Sequence, residues 1–491
     1  MSSPAEIPFL SFIHLDRNEK TPLYLQLAQQ LMNAIQRGYL VPQTKMPGSR
    51  TLSDLLQLHR KTVIAAYEDL HHQGWISIHA NKGAYVMDHK TRISERPYEA
   101  LVALAKYPPT TGYSFRQSNI LDNPFEQSAC TYQFNDGKPD IRLTEIKQLS
   151  SLYSAALKRK NTVKKIENPL HAGEYFRTQL SNYLNSSRGL HISKNNLLIT
   201  RSIEMSLYII AQLLIEPNDV VMVAELGLFS ANMIFQKVGA NIKTLTVDDR
   251  GIDVEVLAEK LKTTKIRAIY ITPHHHYPTT ASLSAKRRVQ LLQLAKEHDF
   301  IIIEDDYDYD FQYEKNTVMP LASADVNGMV IYVGAFGKSL TPSFSTGFVV
   351  APQNFIVEMQ KYLGILDRQG DIVMEQVLGE MIAEGDIHRH LKKSLKVYQE
   401  RRNNCCALLA KYFGHQATFN IPNGGLAIWL EWNIPISLLQ LAKNCQKNDL
   451  FIPKNTLYQN RKTTAMRIGF GHLTTEEMEK SLEILGSCLV G

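Results

Sequence analysis

Apolar positions in this chain change their spacing from helical to strand-like along its length. From Leu23 to Gly38, Leu23, Leu27, Leu31 and Ala34, with Tyr24, Ala28 and Ile35, fall on one helical stripe that a glycine closes. The pair Pro47-Gly48 then breaks the chain, and Ser49 is expected to cap a short helix carrying Leu52, Leu55 and Leu56. After a brief turn at Gln57–His59, a second helix would bury Val63, Ala66, Tyr67 and Leu70. Trp75-Ile76-Ser77-Ile78 and Ala84-Tyr85-Val86 alternate like strands around Asn81-Lys82-Gly83. Two short helices joined by a tight turn and followed by a hairpin predict a helix-turn-helix with a wing.

Residues 88–130 lack sustained periodicity and contain Pro97, Pro108-Pro109 and the polar run Arg116-Gln117-Ser118-Asn119. This stretch predicts a connector, with a helix over Tyr98–Ala105, and is too long for a loop inside one domain. Beyond residue 190 short apolar runs recur at 197–199, 220–223, 242–245, 268–271, 301–303, 330–333 and 348–350, with helical segments such as Ala285–Glu297 between them. That alternation predicts an α/β domain with a largely parallel sheet, whose ligands gather beyond the carboxyl ends of the strands. Three of those ends carry chemistry: Thr272-Pro273-His274-His275-His276-Tyr277-Pro278-Thr279, then Glu304-Asp305-Asp306-Tyr307-Asp308, then Gly334-Ala335-Phe336-Gly337-Lys338-Ser339.

Length and composition bound the partners. A chain of 491 residues with 44% hydrophobic and 21% charged residues predicts two or three globular domains. Its five cysteines include no C-x-x-C pair, which argues against a disulfide or zinc framework and for a reducing cytosol. The N-terminal MSSPAEIPFL is not a secretion signal, and the apolar run Leu207–Ile215, cut short by Glu216-Pro217, cannot span a bilayer. Net charge is +6, and residues 1–90 hold nine Lys/Arg against seven Asp/Glu. Such a balance permits nucleic-acid binding without requiring it.

Arg60, Lys61 and Thr62 stand at the front of the second short helix, where a recognition helix meets the major groove; Arg can pair with guanine there and Thr can hold a phosphate. Residues 21–87 resemble the DNA-binding domain of GntR regulators, whose pattern P-x-S-R-x-L-A, S-R-x-T-V-x-x-A-Y-x-x-L and G-x-x-V appears here as Pro47–Ser53, His59–Leu70 and Gly83–Val86. The resemblance implies DNA contacts from Arg50, Arg60, Thr62 and a wing at Lys82-Gly83. His59 stands where the family usually has Ser.

Read alone, the acidic run at 304–308 would suit a cation site or a solvated turn, and three consecutive histidines suggest metal. Neighbours on an extended loop splay apart, however, and no second ligand cluster accompanies them. A lysine, a carboxylate and a phenol in one crevice are also what pyridoxal 5'-phosphate requires: an amine for its aldehyde carbon, an anion for its pyridine nitrogen and a partner for its ring hydroxyl. Residues from about 131 to 490 resemble fold-type I aminotransferases, in the version joined to GntR heads in the MocR subfamily. Asp305-Asp306-Tyr307-Asp308, then Gly334-x-Phe336-x-Lys338-Ser339-Leu340-x-Pro342, carry the likeness, with Phe134–Asp140, Tyr183-Leu184 through Arg188-Gly189, and Met466–Phe470.

The resemblance implies a winged helix-turn-helix domain over 15–88, a linker over 89–130 and an aminotransferase-like domain over 131–491. It implies Lys338 as the Schiff-base lysine, Asp305 as pyridine partner, Tyr307 at the ring hydroxyl, His275 along the ring, and Arg467 as the fork for an effector carboxylate. It implies a cytoplasmic head-to-tail homodimer, a transcription regulator that binds double-stranded operator DNA and senses a small amine or amino acid, or pyridoxal phosphate itself. Departures gather at the phosphate. The usual T-x-G-x-Q loop reads Thr200-Arg201-Ser202-Ile203-Glu204, Ala335 and Gly337 replace hydroxyl residues, Ser345 replaces an arginine, and Leu228, beside Phe229, replaces a stacking tyrosine. Loss of that arginine alone removes about 1.5–3 kcal/mol, roughly tenfold to a hundredfold in affinity. Arg201, Thr341, Ser343 and Thr346 are candidates to compensate. A working aminotransferase and a cofactor-less dimerisation scaffold are the rival readings.

Overall fold

The computed structural model describes residues 9–80, 82–88, 109–122, 126–160, 162, 173–314, 318–336, 338, 340, 346–367 and 370–489. It divides into two compact units, Met1–Arg116 and Gln117–Gly491.

In the first unit, α1 (Leu23–Gln36), α2 (Ser49–Leu55) and α3 (Arg60–His72) are followed by the antiparallel pair β1 (Ile76–His79) and β2 (Gly83–Val86). Leu27, Leu31, Leu52, Val63, Leu70 and Ile76 form a core with no exposed surface, as their spacing predicts. Tyr67 anchors the assembly by donating from its hydroxyl to the Pro47 carbonyl at 2.9 Å. Two local details differ from expectation. Gly48, not Ser49, is the N-cap of α2, and Ser49 is its first residue; Leu55 lies exposed rather than buried. His59 does cap α3, its Nδ1 accepting from the Lys61 amide at 3.3 Å, so a ring nitrogen fills the role of a hydroxyl. The helix expected over Tyr98–Ala105 lies outside the described residues.

All seven apolar runs of the second unit are strands of one sheet. They are β3 (Leu197–Thr200), β4 (Val220–Ala224), β5 (Asn241–Leu245), β6 (Ala268–Ile271), β7 (Ile301–Asp305), β8 (Val330–Phe336) and β9 (Thr346–Val350), in the spatial order β3-β9-β8-β7-β6-β4-β5. Pairings from β8 to β5 are parallel, and β9 runs antiparallel to both its neighbours. Helices cover the sheet, among them α4 (Ile203–Leu214) and α5 (Ala285–His298). A second, antiparallel sheet follows the long helix Asp386–Phe413: β10 (Ala417–Phe419), β11 (Ala427–Trp432), β12 (Leu457–Gln459) and β13 (Thr464–Gly469), ordered β10-β11-β13-β12. Its inward residues Leu426, Ile428, Leu430, Met466 and Ile468 share a core with that helix. The periodicity reading did not anticipate this sheet.

Candidate functional site

The register of the main sheet brings the expected lysine and carboxylate to one edge. β7 and β8 are parallel neighbours in which Asp305 faces Val333, and Lys338 follows five positions later, just past the end of β8. Asp305 is fully buried. Its Oδ2 accepts from the Tyr270 hydroxyl at 2.5 Å, while Oδ1 has no hydrogen-bond donor among the described residues. Burial pushes its carboxyl up to about 7, against the Tyr270 hydrogen bond and the Lys338 charge, which both draw it down. The Lys338 amine lies 2.5 Å from Asp308 Oδ1 and 4.5 Å from the centre of the Tyr307 ring.

Tyr307 turns its ring to the lysine and its hydroxyl to the other side of the crevice. That hydroxyl donates to the Asp136 carbonyl at 3.4 Å and accepts from Arg467 Nη2 at 3.5 Å. Arg467 comes from β13 and is buried. Its fork, expected to stand open for an effector, is occupied by the chain itself: Nε lies 2.8 Å from Asp136 Oδ1 and Nη1 donates to the Pro278 carbonyl at 2.9 Å. The three histidines splay to separate neighbours. His274 meets the Tyr309 ring edge-on at 4.6 Å, and His276 Nδ1 lies 2.9 Å from Thr279 Oγ1. His275 packs against Gly424, where a Cβ would lie 2.5 Å from its ring, and neither of its nitrogens has a hydrogen-bond partner among the described residues. Burial lowers all three, His275 to about 4 and His276 to about 3, so they are neutral at physiological pH. Nearby, the buried Arg188 holds Asp306 at 3.0 Å and Asp310 at 2.7 Å.

Fit to pyridoxal phosphate is divided. For the ring and aldehyde, Asp305 Oδ1 is a buried acceptor with no donor, and Lys338 carries an amine to the same edge. The phosphate end fits poorly. Arg201, a candidate to compensate there, turns away to Asp367, with Nε 2.6 Å from Oδ2. Ser202 Oγ already caps α4 by accepting from the Met205 amide at 3.2 Å. Glu204, in the first turn of α4, adds negative charge felt by both Asp305 and Tyr270. Thr346 opens β9, paired with Phe336; Leu228 packs on the sheet core; Gly337, Thr341, Ser343 and Ser345 lie outside the described residues.

Four contributors were not singled out from sequence. Asp308 and Asp136 sit inside quoted motifs, but nothing in their spacing says which cation each meets. Tyr270 was read only as part of an apolar strand, although a hydroxyl in a fully buried run signals a polar partner. Tyr277 stacks edge-on against Tyr307 at 5.5 Å and follows the same loop.

On the first unit, Arg50, Arg60, Lys61 and Lys82 are exposed and, among the described residues, in no ion pair; Thr62 is half-buried. Arg60 Nε donates to Ser49 Oγ at 3.2 Å, which ties the start of α3 to the start of α2. Gly83 has φ of +109°, and a Cβ there would lie 3.3 Å from Lys45 Cε, so the wing turn needs glycine.

Residues 131–485 match the family described as aminotransferase class I and II, and residues 23–86 match the gntR family of bacterial regulatory proteins. The HTH-type transcriptional regulator YdeL of Bacillus subtilis is 27% identical over 482 residues, covering 96% of this chain and 97% of that protein. The probable rhizopine catabolism regulatory protein MocR of Rhizobium meliloti is 24% identical, over 84% of this chain and 82% of that one. Among solved structures, an archaeal alanine:glyoxylate aminotransferase superposes with a TM-score of 0.67 at 23% identity, covering 72% of this chain and 90% of its own, a likeness of fold alone.

Proposed function

The chain belongs to the aminotransferase class I and II family and carries a gntR-family head, and from that premise we propose that this DNA-binding transcription regulator of the MocR type senses a small molecule in the crevice between Lys338 and Asp305. The sensed species is a small amine or amino acid, or pyridoxal phosphate itself, and its arrival changes DNA affinity. One observation carries the reading: a fully buried carboxylate oxygen, Asp305 Oδ1, has no donor among the described residues and lies at the strand end that also presents an amine. An unpaired buried acceptor costs about 1–3 kcal/mol, which a donor on a ligand recovers.

Pyridoxal phosphate, when bound, would supply an aldehyde carbon for Lys338 and a pyridine nitrogen for Asp305. Asp308 Oδ1 holds the Lys338 ammonium and is the acceptor placed to take its proton when the amine becomes a nucleophile. Tyr307 limits the lysine to one face of its ring, and His275, neutral and unpartnered, offers a ring nitrogen to the same crevice. The weak phosphate end and the occupied fork of Arg467 favour sensing over turnover, so the transaminase chemistry is vestigial in this reading.

The DNA contacts are assigned to Arg50, Arg60, Lys61 and Thr62 at the helix starts and to Lys82-Gly83 in the wing. Two heads reach paired half-sites through a homodimer of the larger unit. The helix Gln353–Leu366 supports pairing, since Val357, Tyr362, Ile365 and Leu366 leave apolar surface exposed along it.

Titration of the purified protein with pyridoxal phosphate, followed by borohydride reduction and peptide mapping, tests the reading. A single adduct on Lys338, absent from Lys338→Ala, is expected. Scattered labelling of surface lysines with Lys338 unmodified would count against it.

A further inference from the structure

Arg467 is the one strongly basic group of the crevice apart from Lys338 that faces Tyr307, and the chain has already supplied its anion. Nε lies 2.8 Å from Asp136 Oδ1, Nη1 donates to the Pro278 carbonyl at 2.9 Å, and Nη2 reaches the Tyr307 hydroxyl at 3.5 Å and Asp308 Oδ2 at 3.9 Å. The Tyr277 and Tyr307 rings flank the guanidinium, with centroids 5.0 and 5.7 Å from its carbon. Nη1 and Nη2 thus donate within the chain, and Nε stands at ion-pair distance from Asp136 without an aligned hydrogen bond.

Asp136 is held in that place by its neighbours. Asn135 Oδ1 accepts from the amides of Gly137 and Lys138, both at 2.9 Å, and the Asn135 carbonyl accepts from the Gly469 amide at 3.0 Å. Gly137 has φ of +81°, and a Cβ at that position would lie 3.5 Å from Arg467 Nη2. The loop is thus tied to β13, the strand that bears the arginine, and cannot carry Asp136 away without breaking those bonds.

The remaining charges point the same way. Beside Asp136, which is committed to Arg467, the described residues include Asp305 Oδ1, Asp306 Oδ1 and Asp308 Oδ2 as buried carboxylate oxygens without an aligned donor. Lys338 is engaged by Asp308 and Arg188 by Asp306 and Asp310. Among the described residues, a ligand carboxylate entering here would meet no unclaimed cation and would have to displace Asp136. A ligand ammonium, with three donors and a positive charge, would meet acceptors already desolvated.

We infer that Asp136 fills the carboxylate seat at Arg467, so that the crevice takes primary amines lacking a carboxylate and rejects their amino-acid counterparts. This selects against one ligand class by a resident like charge as well as for another by unpaired acceptors. The inference rests on the crevice being the effector site, as proposed above, and narrows the effector from amines and amino acids to amines.

Matched pairs that differ only in the carboxylate test it: 2-phenylethylamine against phenylalanine, and 1,5-diaminopentane against lysine, titrated calorimetrically into the full-length protein and into Asp136→Asn. Wild type should bind each amine at least about tenfold more tightly than its amino acid. Asp136→Asn should narrow that gap from the amino-acid side by exposing the Arg467 fork. The wild-type comparison stands without the variant, and thermal unfolding of the variant checks that it folds. Equal or tighter amino-acid binding by wild type would overturn the inference, as would a gap left unchanged in a folded variant. If wild type binds none of the four while the variant gains the amino acids, the blocked seat stands and the amine-sensing reading falls. If neither protein binds any of them, both fall.

Discussion

Replacing Tyr270 by Phe should expose how strongly the crevice depends on the ionised state of Asp305. Among the described residues the hydroxyl is the one donor to this carboxylate, at 2.5 Å from Oδ2, because Oδ1 has none. A hydrogen bond to a charged group contributes about 1.5–3 kcal/mol, and to a neutral one about 0.5–1.5 kcal/mol. Burial raises the Asp305 carboxyl from its ordinary 3.8 to about 7 in the folded protein. Between those values the folded state keeps a proton that the unfolded state has lost, so this group's contribution to stability falls as pH rises toward 7. Without the hydroxyl, which lowers the folded value, that fall continues to higher pH. Tyr270→Phe should therefore cost about 1.5–3 kcal/mol at pH 8 and roughly 1 kcal/mol less at pH 6. Glu304 and Asp306, also raised to about 7 by burial, titrate in both proteins and largely cancel in the difference. Urea unfolding can isolate the unit concerned. The three tryptophans are Trp75 in the first unit and Trp429 and Trp432 in the second, so fluorescence in a Trp75→Phe background reports the second alone. A difference below about 0.5 kcal/mol at pH 8, or one that grows toward pH 6, would refute the reasoning.

Three further outcomes follow from named contacts. Arg188→Met strands Asp306 and Asp310 without their buried partner and should cost about 3–5 kcal/mol in the same unfolding assay; a change within error would contradict a buried ion pair at this place. Gly347→Ala places a Cβ 2.5 Å from the Ser202 carbonyl oxygen and against Thr200, and should cost about 1–3 kcal/mol by prising β9 from β3, read by the thermal midpoint. Arg60→Ala should weaken binding to a DNA site selected from a random pool by about tenfold to a hundredfold in an electrophoretic titration, and full retention would remove α3 from the recognition role.

Much of this architecture is readable in the chain because contiguous apolar runs are strands whichever way they point. The same fact hides direction: Thr346–Val350 looks like its parallel neighbours, yet it runs antiparallel between β8 and β3. The second sheet was missed because β11, Ala427–Trp432, alternates with neither a clean strand period nor a strand end bearing chemistry. At the crevice, Lys338 and Asp305 were accessible to reasoning, since adjacent parallel strands end together. Asp136 meeting Arg467 was not, because the two belong to segments far apart in sequence, joined by the bond from the Gly469 amide to the Asn135 carbonyl. Arg201 shows the complementary limit: the loop places it near the phosphate end, but Asp367 on another segment decides where its guanidinium goes.

The central claim is that small-molecule occupancy at Lys338 sets DNA affinity. Its most direct test is the affinity of wild type and Lys338→Ala for the selected DNA site, measured with and without pyridoxal phosphate and a primary amine. Wild type should change its affinity when both are added while Lys338→Ala, still bound to the same DNA, stays constant. An equal response from the two proteins would contradict the claim.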